Sequence, residues 1–145
     1  MDDLVQFLQA RLAEDEESAR RACEYAEAEW KLDEEFGETV LWWPPEPHIA
    51  EKEREKGLPV VSDQWRGQTI DSRIAPHVAR HDPARVLAEV EAKRRILEHH
   101  AKLHQYAEEQ RQQEYALAAG AGDVVLKLLA LPYVDHPRYR EEWRP

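Results

Sequence analysis

The apolar side chains of residues 1–36 recur every three or four positions, which is the spacing of a helix with one apolar face. Asp2 or Asp3 can begin this helix, because a carboxylate there accepts the unpaired N–H groups of the first turn. The pattern predicts a first helix that runs to about Asp33, with an apolar stripe of Leu4, Leu8, Leu12, Ala19, Ala22, Cys23, Ala26 and Trp30.

A second helix is predicted to begin at Asp82 and Pro83. Asp82 suits the N-cap, and proline is favoured at the first helical position, where its missing N–H costs nothing. Arg94 falls on the apolar face, so we expect it at the edge of that face or paired with an acidic residue of the first helix, since an unpaired buried arginine is costly. Beyond residue 100 the helix either continues as an exposed extension to about residue 117 or breaks. The face consists of Leu87, Val90, Leu97 and Ala101, with His104 in line, and the acidic candidates are Glu14, Asp15 and Glu16.

The C-terminal part contains a strong turn signal followed by an apolar run. The sequence Ala-Gly-Ala-Gly at residues 119–122 predicts a helix stop. Asp123 is then expected to cap a short helix over residues 124–131, nearly all of it buried, which Pro132 ends. Tyr139 and Trp143 are four residues apart and share a face, so we expect residues 132–145 to dock as a tail.

Residues 37–76 have a different pattern. Gly37 is expected to end the first helix, after which residues 39–43 and 58–61 are β-branched or aromatic. These two runs predict either a short antiparallel β-hairpin or a loop insert. Residues 49–57 suit a charged connection or a short exposed helix, and residues 65–75 suit a loop with an extended end before Pro76. The whole pattern predicts a mainly α fold, a small bundle of three to four helices in a single domain spanning residues 1–145.

The net charge of the chain limits the kinds of molecule that it is expected to bind. The chain has 30 acidic and 20 basic residues, a formal charge of −10. Twelve acidic and four basic side chains in residues 1–36 give −8 in that segment alone. This balance argues against direct binding to nucleic acid or to anionic membranes, both of which favour lysine and arginine. Cys23 is the only cysteine, so no intrachain disulfide forms, and without an N-terminal apolar run of signal or transmembrane length we expect a cytoplasmic protein.

The densest polar group is a candidate binding site at the start of the second helix. It could bind an anion or support acid–base chemistry, because histidine and arginine stand next to a helix N-terminus. The structural alternative is that Asp82 only caps the helix while the other side chains pack around the corner. The group consists of His77, Arg80, His81 and Asp82, with Arg94 as a further candidate.

His100 and His104 are weak candidates for metal ligands. They are four residues apart on a predicted helix, which is a ligand spacing. Ala-Lys-Leu lies between them, so the glutamate base of a zinc protease is missing, and sequence alone places no third ligand, although His81 and His136 are distant options. We therefore expect no cofactor and identify no catalytic residue.

Trp42 and Trp43 are candidates for an interaction surface. Adjacent residues of a strand point to opposite faces, so one of the two can be exposed beside the proline run that follows. An exposed tryptophan is a common anchor for a protein partner. The alternative is that loop residues cover both rings. Trp30 and Trp143 are expected in the core.

Three long motifs resemble an uncharacterised protein family of actinomycetes, found in Streptomyces and their phages. They lie at residues 1–12, 77–95 and 128–145, and include Ala79-Arg-His-Asp-Pro83 and Leu131-Pro-Tyr-Val-Asp-His-Pro137. Residues 37–70 look divergent. The resemblance implies no activity, because the family is one of unknown role.

Three hypotheses follow for the function. The main one is a soluble helical module that binds a protein partner or associates with itself, and is not an enzyme. The first alternative is a small enzyme or metal-binding protein that uses His77, His81 and Asp82. The second is an acidic regulator or nucleic-acid mimic that binds a basic protein through the first helix.

Overall fold

The computed structural model describes residues 1–35, 39–44, 55–62, 64–65, 68–69, 74–110 and 113–145. The described residues form a mainly α fold with a short β insert, as the sequence predicts. The chain divides into two compact units. One comprises Met1–Asp15 with Glu89–Pro145, and the other comprises Glu16–Ala88.

Helix α1 spans Asp2–Cys23. Leu4, Leu8, Leu12 and Ala19 are buried on one face, which confirms the predicted stripe over this part of the helix. The prediction that this helix reaches Asp33 is wrong. After Cys23 the backbone turns, and the N–H of Glu27 donates to the carbonyl of Trp43 at 2.6 Å. The backbone of the segment after the helix is therefore bonded in part to a distant part of the chain and not along a helix. The predicted end at Gly37 lies outside the described residues.

The insert forms a three-stranded antiparallel sheet in the order β1 (Lys31–Leu32), β2 (Thr39–Trp42), β3 (Leu58–Ser62). The predicted pairing of β2 with β3 is confirmed, with Val40 opposite Val61. β1 was not predictable, because two residues are too few to show an alternation. Gly57 has φ +73°, and a Cβ there would stand 3.0 Å from the Trp43 ring, so this position requires glycine on both counts.

The described residues in and beside the predicted loop at 65–75 form short regular elements. β4 (Gln64–Trp65) pairs with β5 (Gln68–Thr69), and helix α2 spans Ile74–Arg80. An extended end before Pro76 is therefore wrong, because this proline stands in the first turn of α2, where no N–H is required. Most of the predicted connection at residues 49–57 lies outside the described residues.

Helix α3 spans Pro83–Gln110 and begins as predicted. The N–H of Arg85 donates to a carboxylate oxygen of Asp82 at 2.9 Å, which is the contact expected of an N-cap. The other carboxylate oxygen accepts the N–H of Trp30 at 3.2 Å. Asp82 thus caps α3 and also holds the chain just before β1.

Helix α4 spans Gln113–Ala130, so the predicted stop at Gly120 and Gly122 is wrong. A glycine inside a helix costs only about 1 kcal/mol, which the buried side chains of the same helix offset. The buried side of α4 contains Ala119, Leu126 and Ala130. The expectation that residues 124–131 are nearly all buried is also wrong, because their opposite side is exposed.

The C-terminal residues pack on α1. They form two 3-10 turns, Leu131–Tyr133 and Glu141–Trp143. The Trp143 ring is buried, with its centroid 4.9 Å from that of Phe7. The Tyr133 hydroxyl donates to Asp15 at 2.6 Å, and Arg140 pairs with Asp3 at 2.6 Å.

Candidate functional site

The strongest polar cluster joins α3 to α4. His100 and His104 lie on successive turns of α3, and their rings are 4.5 Å apart between centroids. The Nε2–H of His100 donates to Oδ1 of Asp123 at 2.7 Å, and the Nε2–H of His104 donates to the same oxygen at 2.9 Å. The three ligand-type atoms all lie within 4.8 Å of one another. One carboxylate oxygen therefore gathers two imidazoles into the arrangement of a metal site.

The cluster extends from the interior to the surface. The His100 side chain is 7% exposed, that of Asp123 is 28% exposed, and that of His104 is 40% exposed. Partial burial acts to raise the pKa of the Asp123 carboxyl, but the hydrogen bonds from His100 and His104 outweigh it and hold the pKa below its ordinary value. Asp123 is therefore ionised at neutral pH and carries the negative charge of the cluster.

Gly122 makes room for the buried ring. A Cβ at this position would stand 3.2 Å from Cδ2 of His100, closer than an ordinary van der Waals contact. By contrast, a Cβ at Gly120 would meet nothing within 4 Å. The second glycine of the predicted stop thus serves the close approach of α3 and α4 at the cluster.

A pocket of about 470 Å³ opens beside the two histidines. His100 and His104 form part of its wall, and Glu108 lies one helical turn beyond His104 on the same wall. The opposite wall is the first turns of α1, including Met1, Asp2 and Gln6. The exposed edge of the cluster therefore faces a cavity of the size that holds a small molecule.

Sequence reasoning found the two histidines and missed their partner. Asp123 was interpreted as a helix cap, although it lies in the middle of α4. The sequence feature that indicates a role for Asp123 is a carboxylate within an apolar helical stretch, where a charged residue needs a partner. The two distant options have other contacts, since His136 is hydrogen-bonded to Arg11 and His81 Nδ1 lies 2.8 Å from the carbonyl of His77.

The group at the start of α3 is brought together only in part. The rings of His77 and His81 stack with centroids 4.3 Å apart, and both side chains are exposed, as is Arg80. Asp82 uses one carboxylate oxygen for the cap and the other for Trp30. These contacts favour the structural interpretation of Asp82. Arg94 lies on α3 and is half-buried.

Trp42 and Trp43 are both half-buried. The Nζ atom of Lys31 lies 5.3 Å from the centroid of the Trp43 ring, a cation–π contact that covers one face. Trp43 also lines a second pocket, of about 510 Å³, together with Lys31, Asp33 and Lys56. An interaction at these rings stays a prediction.

The exposed side of α4 carries an apolar stripe, which we call the α4 stripe. It continues into the first residue of the following 3-10 turn and follows steps of four, three, four and three residues. Among the described residues, Gln113–Tyr133 is also the one helical stretch that by length and composition alone could cross a membrane. The α4 stripe consists of Leu117 (68% exposed), Ala121, Val124 (50%), Leu128 (50%) and Leu131 (40%).

The fold and the cluster together define a mainly α protein with a small β insert and a His–His–Asp cluster between two helices. Residues 1–145 match the model of a family of unknown function, DUF6221, and the chain belongs to this family. The resemblance to an uncharacterised family is thereby confirmed, while an actinomycete origin stays a prediction. No functionally curated protein and no solved structure matches the chain.

Proposed function

We propose that the protein is a self-associating helical module, in which the α4 stripe of one copy packs against the α4 stripe of a second copy. The observation that carries the proposal is the exposure of large apolar side chains along one side of α4. Single exposed apolar residues are normal on a protein surface, but a contiguous exposed row is typical of an interaction site.

The spacing of the α4 stripe suits a second helix. Steps of alternating four and three residues place the side chains at the a and d positions of a heptad, the seam by which two helices pack. Over the 14 steps from Leu117 to Leu131, the stripe is about 21 Å long at 1.5 Å per residue. A seam of this kind is self-complementary, so two identical copies satisfy it around a two-fold axis.

Charge favours a second copy of this acidic chain over other occupants. Helix α4 contains only three charged residues, Glu114, Asp123 and Lys127, and none of them belongs to the α4 stripe. Two chains that each carry −10 repel one another least where their facing surfaces are uncharged. A basic partner would bind better elsewhere on the surface.

A membrane is a poorer occupant of the same surface. Spanning a bilayer would place Asp123 near the centre of the apolar stretch and would separate it from His100 and His104, an expensive change in hydrocarbon. Binding flat on an anionic bilayer would meet the repulsion of the chain's negative charge. Flotation with lipid vesicles distinguishes membrane binding from self-association.

The expected affinity is modest. A stable interface of standard size buries about 800 Å² on each partner, and one short helix seam supplies only part of that area. We therefore expect a dimer with a dissociation constant on the order of micromolar.

Sedimentation velocity across the micromolar range tests the proposal. The wild type should shift from monomer to dimer, and Leu128→Glu should remain monomeric, because a charge inside the seam has no partner there. Ile96→Glu is the matched control, since Ile96 is also an exposed apolar residue of a long helix but lies on α3, outside the α4 stripe.

Three results would contradict the proposal. One is a wild type that stays monomeric at the highest concentration, and a second is a dimer that Leu128→Glu leaves unchanged. The third is flotation of the wild type, but not of Leu128→Glu, with vesicles of zwitterionic and anionic lipid, which would assign the α4 stripe to a membrane.

A further inference from the structure

We propose that His100, His104 and Asp123 form a binding site for a divalent transition-metal ion of the Zn²⁺ type. This inference is independent of self-association, since the cluster lies on the side of α4 that faces α3 and the α4 stripe lies on the exposed side. The two proposals can therefore fail separately.

The distances within the cluster are close to those of a metal site. With Zn–N and Zn–O bonds of about 2.0–2.1 Å in tetrahedral geometry, neighbouring ligand atoms are separated by about 3.3 Å. Here the two nitrogens lie 2.7 and 2.9 Å from the carboxylate oxygen. An outward movement of roughly half an ångström opens the space for an ion.

The two imidazoles can bind a metal ion while both remain neutral, because the proton of each ring can move from one nitrogen to the other. In the hydrogen-bonded state each Nε2 carries the hydrogen that Asp123 accepts. A neutral imidazole that binds a metal through Nε2 carries its proton on Nδ1 instead. Metal binding thus replaces two hydrogen bonds to Asp123 with bonds from the same three atoms to the ion, and the ionised carboxylate supplies a negative charge.

The donor set selects the class of ion. Two imidazoles with one carboxylate suit zinc, iron, nickel or copper, whereas magnesium and calcium prefer an all-oxygen shell. The two histidines come from successive turns of one helix and the carboxylate from the next helix. Their positions are therefore set by elements with regular backbone geometry.

Three protein ligands leave a coordination position open. In zinc proteins this is the arrangement of reactive sites, where water or a substrate occupies the fourth position. His104 is the exposed member of the cluster, and it lines the pocket of about 470 Å³ beside Glu108. Water would therefore reach the ion from this pocket, with the Glu108 carboxylate available to hold it.

The test is a titration with Co²⁺ and with Zn²⁺ of full-length protein that carries no polyhistidine tag. Wild type should bind one ion per chain, and Co²⁺ should give the intense visible bands of a tetrahedral site. Zn²⁺ should also raise the unfolding temperature, because the ion binds the folded state preferentially. His104→Ala and Asp123→Asn should each weaken Zn²⁺ binding by at least about 100-fold, the upper end of what loss of an outer-shell partner costs.

Two control variants remove histidines outside the cluster and show whether the loss of binding is specific to it. His99→Ala removes an exposed histidine next to the cluster and should change the affinity by less than about twofold. The double variant His77→Ala/His81→Ala removes the other stacked histidine pair and should also retain binding. Circular dichroism of each variant shows whether it is folded, and His104→Gln replaces His104→Ala if the latter is not.

The proposal is overturned if wild type binds neither ion. It is also overturned if folded His104 and Asp123 variants bind Zn²⁺ as wild type does. Loss of binding in His77→Ala/His81→Ala alone would move the site to the start of α3.

Discussion

The side chains of His100 and Asp123 are joined by a hydrogen bond of 2.7 Å that links α3 to α4. His100 is the most buried histidine of this cluster, and a ring in that position needs a polar partner. Asp123 provides it from an apolar stretch of α4. This hydrogen bond accounts for both polar side chains between α3 and α4, the buried histidine and the carboxylate opposite it.

Acidification should remove the contribution of Asp123 to stability. A carboxyl whose pKa is lower in the folded state stabilises the fold above its unfolded pKa, and the contribution is lost as the pH falls towards the folded value. The ordinary pKa is 3.8, so the difference in unfolding free energy between wild type and Asp123→Asn should shrink below that pH. Urea unfolding of both proteins from neutral pH to about pH 3 measures it. A difference that stays constant through this window would contradict the prediction.

The two glycines of α4 should respond differently to alanine. Gly120→Ala should raise the unfolding free energy by roughly 0.5–1 kcal/mol, because alanine favours the helix and the new Cβ meets nothing. Gly122→Ala gains the same helix propensity, but its Cβ presses on His100 at 3.2 Å. It should therefore stabilise less than Gly120→Ala or destabilise. Chemical denaturation of the pair measures the difference, and equal gains would show that the His100 ring moves freely.

Two tyrosines of the C-terminal segment form a second matched pair. The Tyr133 hydroxyl donates to Asp15, and burial together with this hydrogen bond raises the pKa of Tyr133 above its ordinary value. Tyr133→Phe should cost about 1.5 kcal/mol, since hydrogen bonds to charged groups are the stronger ones. The buried Tyr139 hydroxyl has no partner among the described residues, so Tyr139→Phe should be neutral or stabilise by up to about 1 kcal/mol.

Thermal or urea unfolding of both phenylalanine variants compares them under the same conditions. Equal losses would mean that the Tyr139 hydroxyl is satisfied in solution. A neutral Tyr133→Phe would mean that water donates a hydrogen bond to Asp15 as well as the Tyr133 hydroxyl does.

Asp82 should prove structural. Asp82→Ala removes the acceptor for Arg85 N–H and Trp30 N–H and should lower the unfolding free energy by about 1–2 kcal/mol. Asp82→Asn keeps one acceptor oxygen for the N-cap contact with Arg85, but its NH2 group cannot accept from the Trp30 N–H, so it should recover only part of this loss. His77→Ala, at an exposed position, should stay within about 0.5 kcal/mol of wild type. A loss in Asp82→Asn as large as in Asp82→Ala would show that the N-cap contact with Arg85 contributes little by itself.

Local signals were the predictable part of this fold. The stripe of Leu4, Leu8 and Leu12 depends only on helical spacing, and the start of α3 depends only on the Asp82–Pro83 pair. The β2–β3 pairing was visible because both runs are rich in β-branched and aromatic residues. The apolar stripe, the helix start and the composition of each strand are visible within a few neighbouring residues.

Features that depend on distant contacts were not predictable. The segment after α1 bonds through Glu27 to the distant Trp43, and α4 continues through its glycines with Leu126 buried on its inner side. Both sides of α4 carry apolar residues, so composition does not show which side packs against the rest of the protein. The His–His–Asp cluster depends on a residue 19 positions from His104 and 23 from His100, a separation at which sequence spacing has no geometric meaning.

Two hydrogen bonds, one from Trp30 to Asp82 and one from Ala84 to Ala28, join the two ends of one segment of the chain. The two ends of this segment therefore lie next to each other. Lengthening or shortening a chain between fixed, adjacent ends costs little, about 0.6 kcal/mol for each doubling of a flexible loop. The two contacts thus hold the residues before β1 beside the start of α3, and a change of length in the chain that joins them leaves both contacts possible.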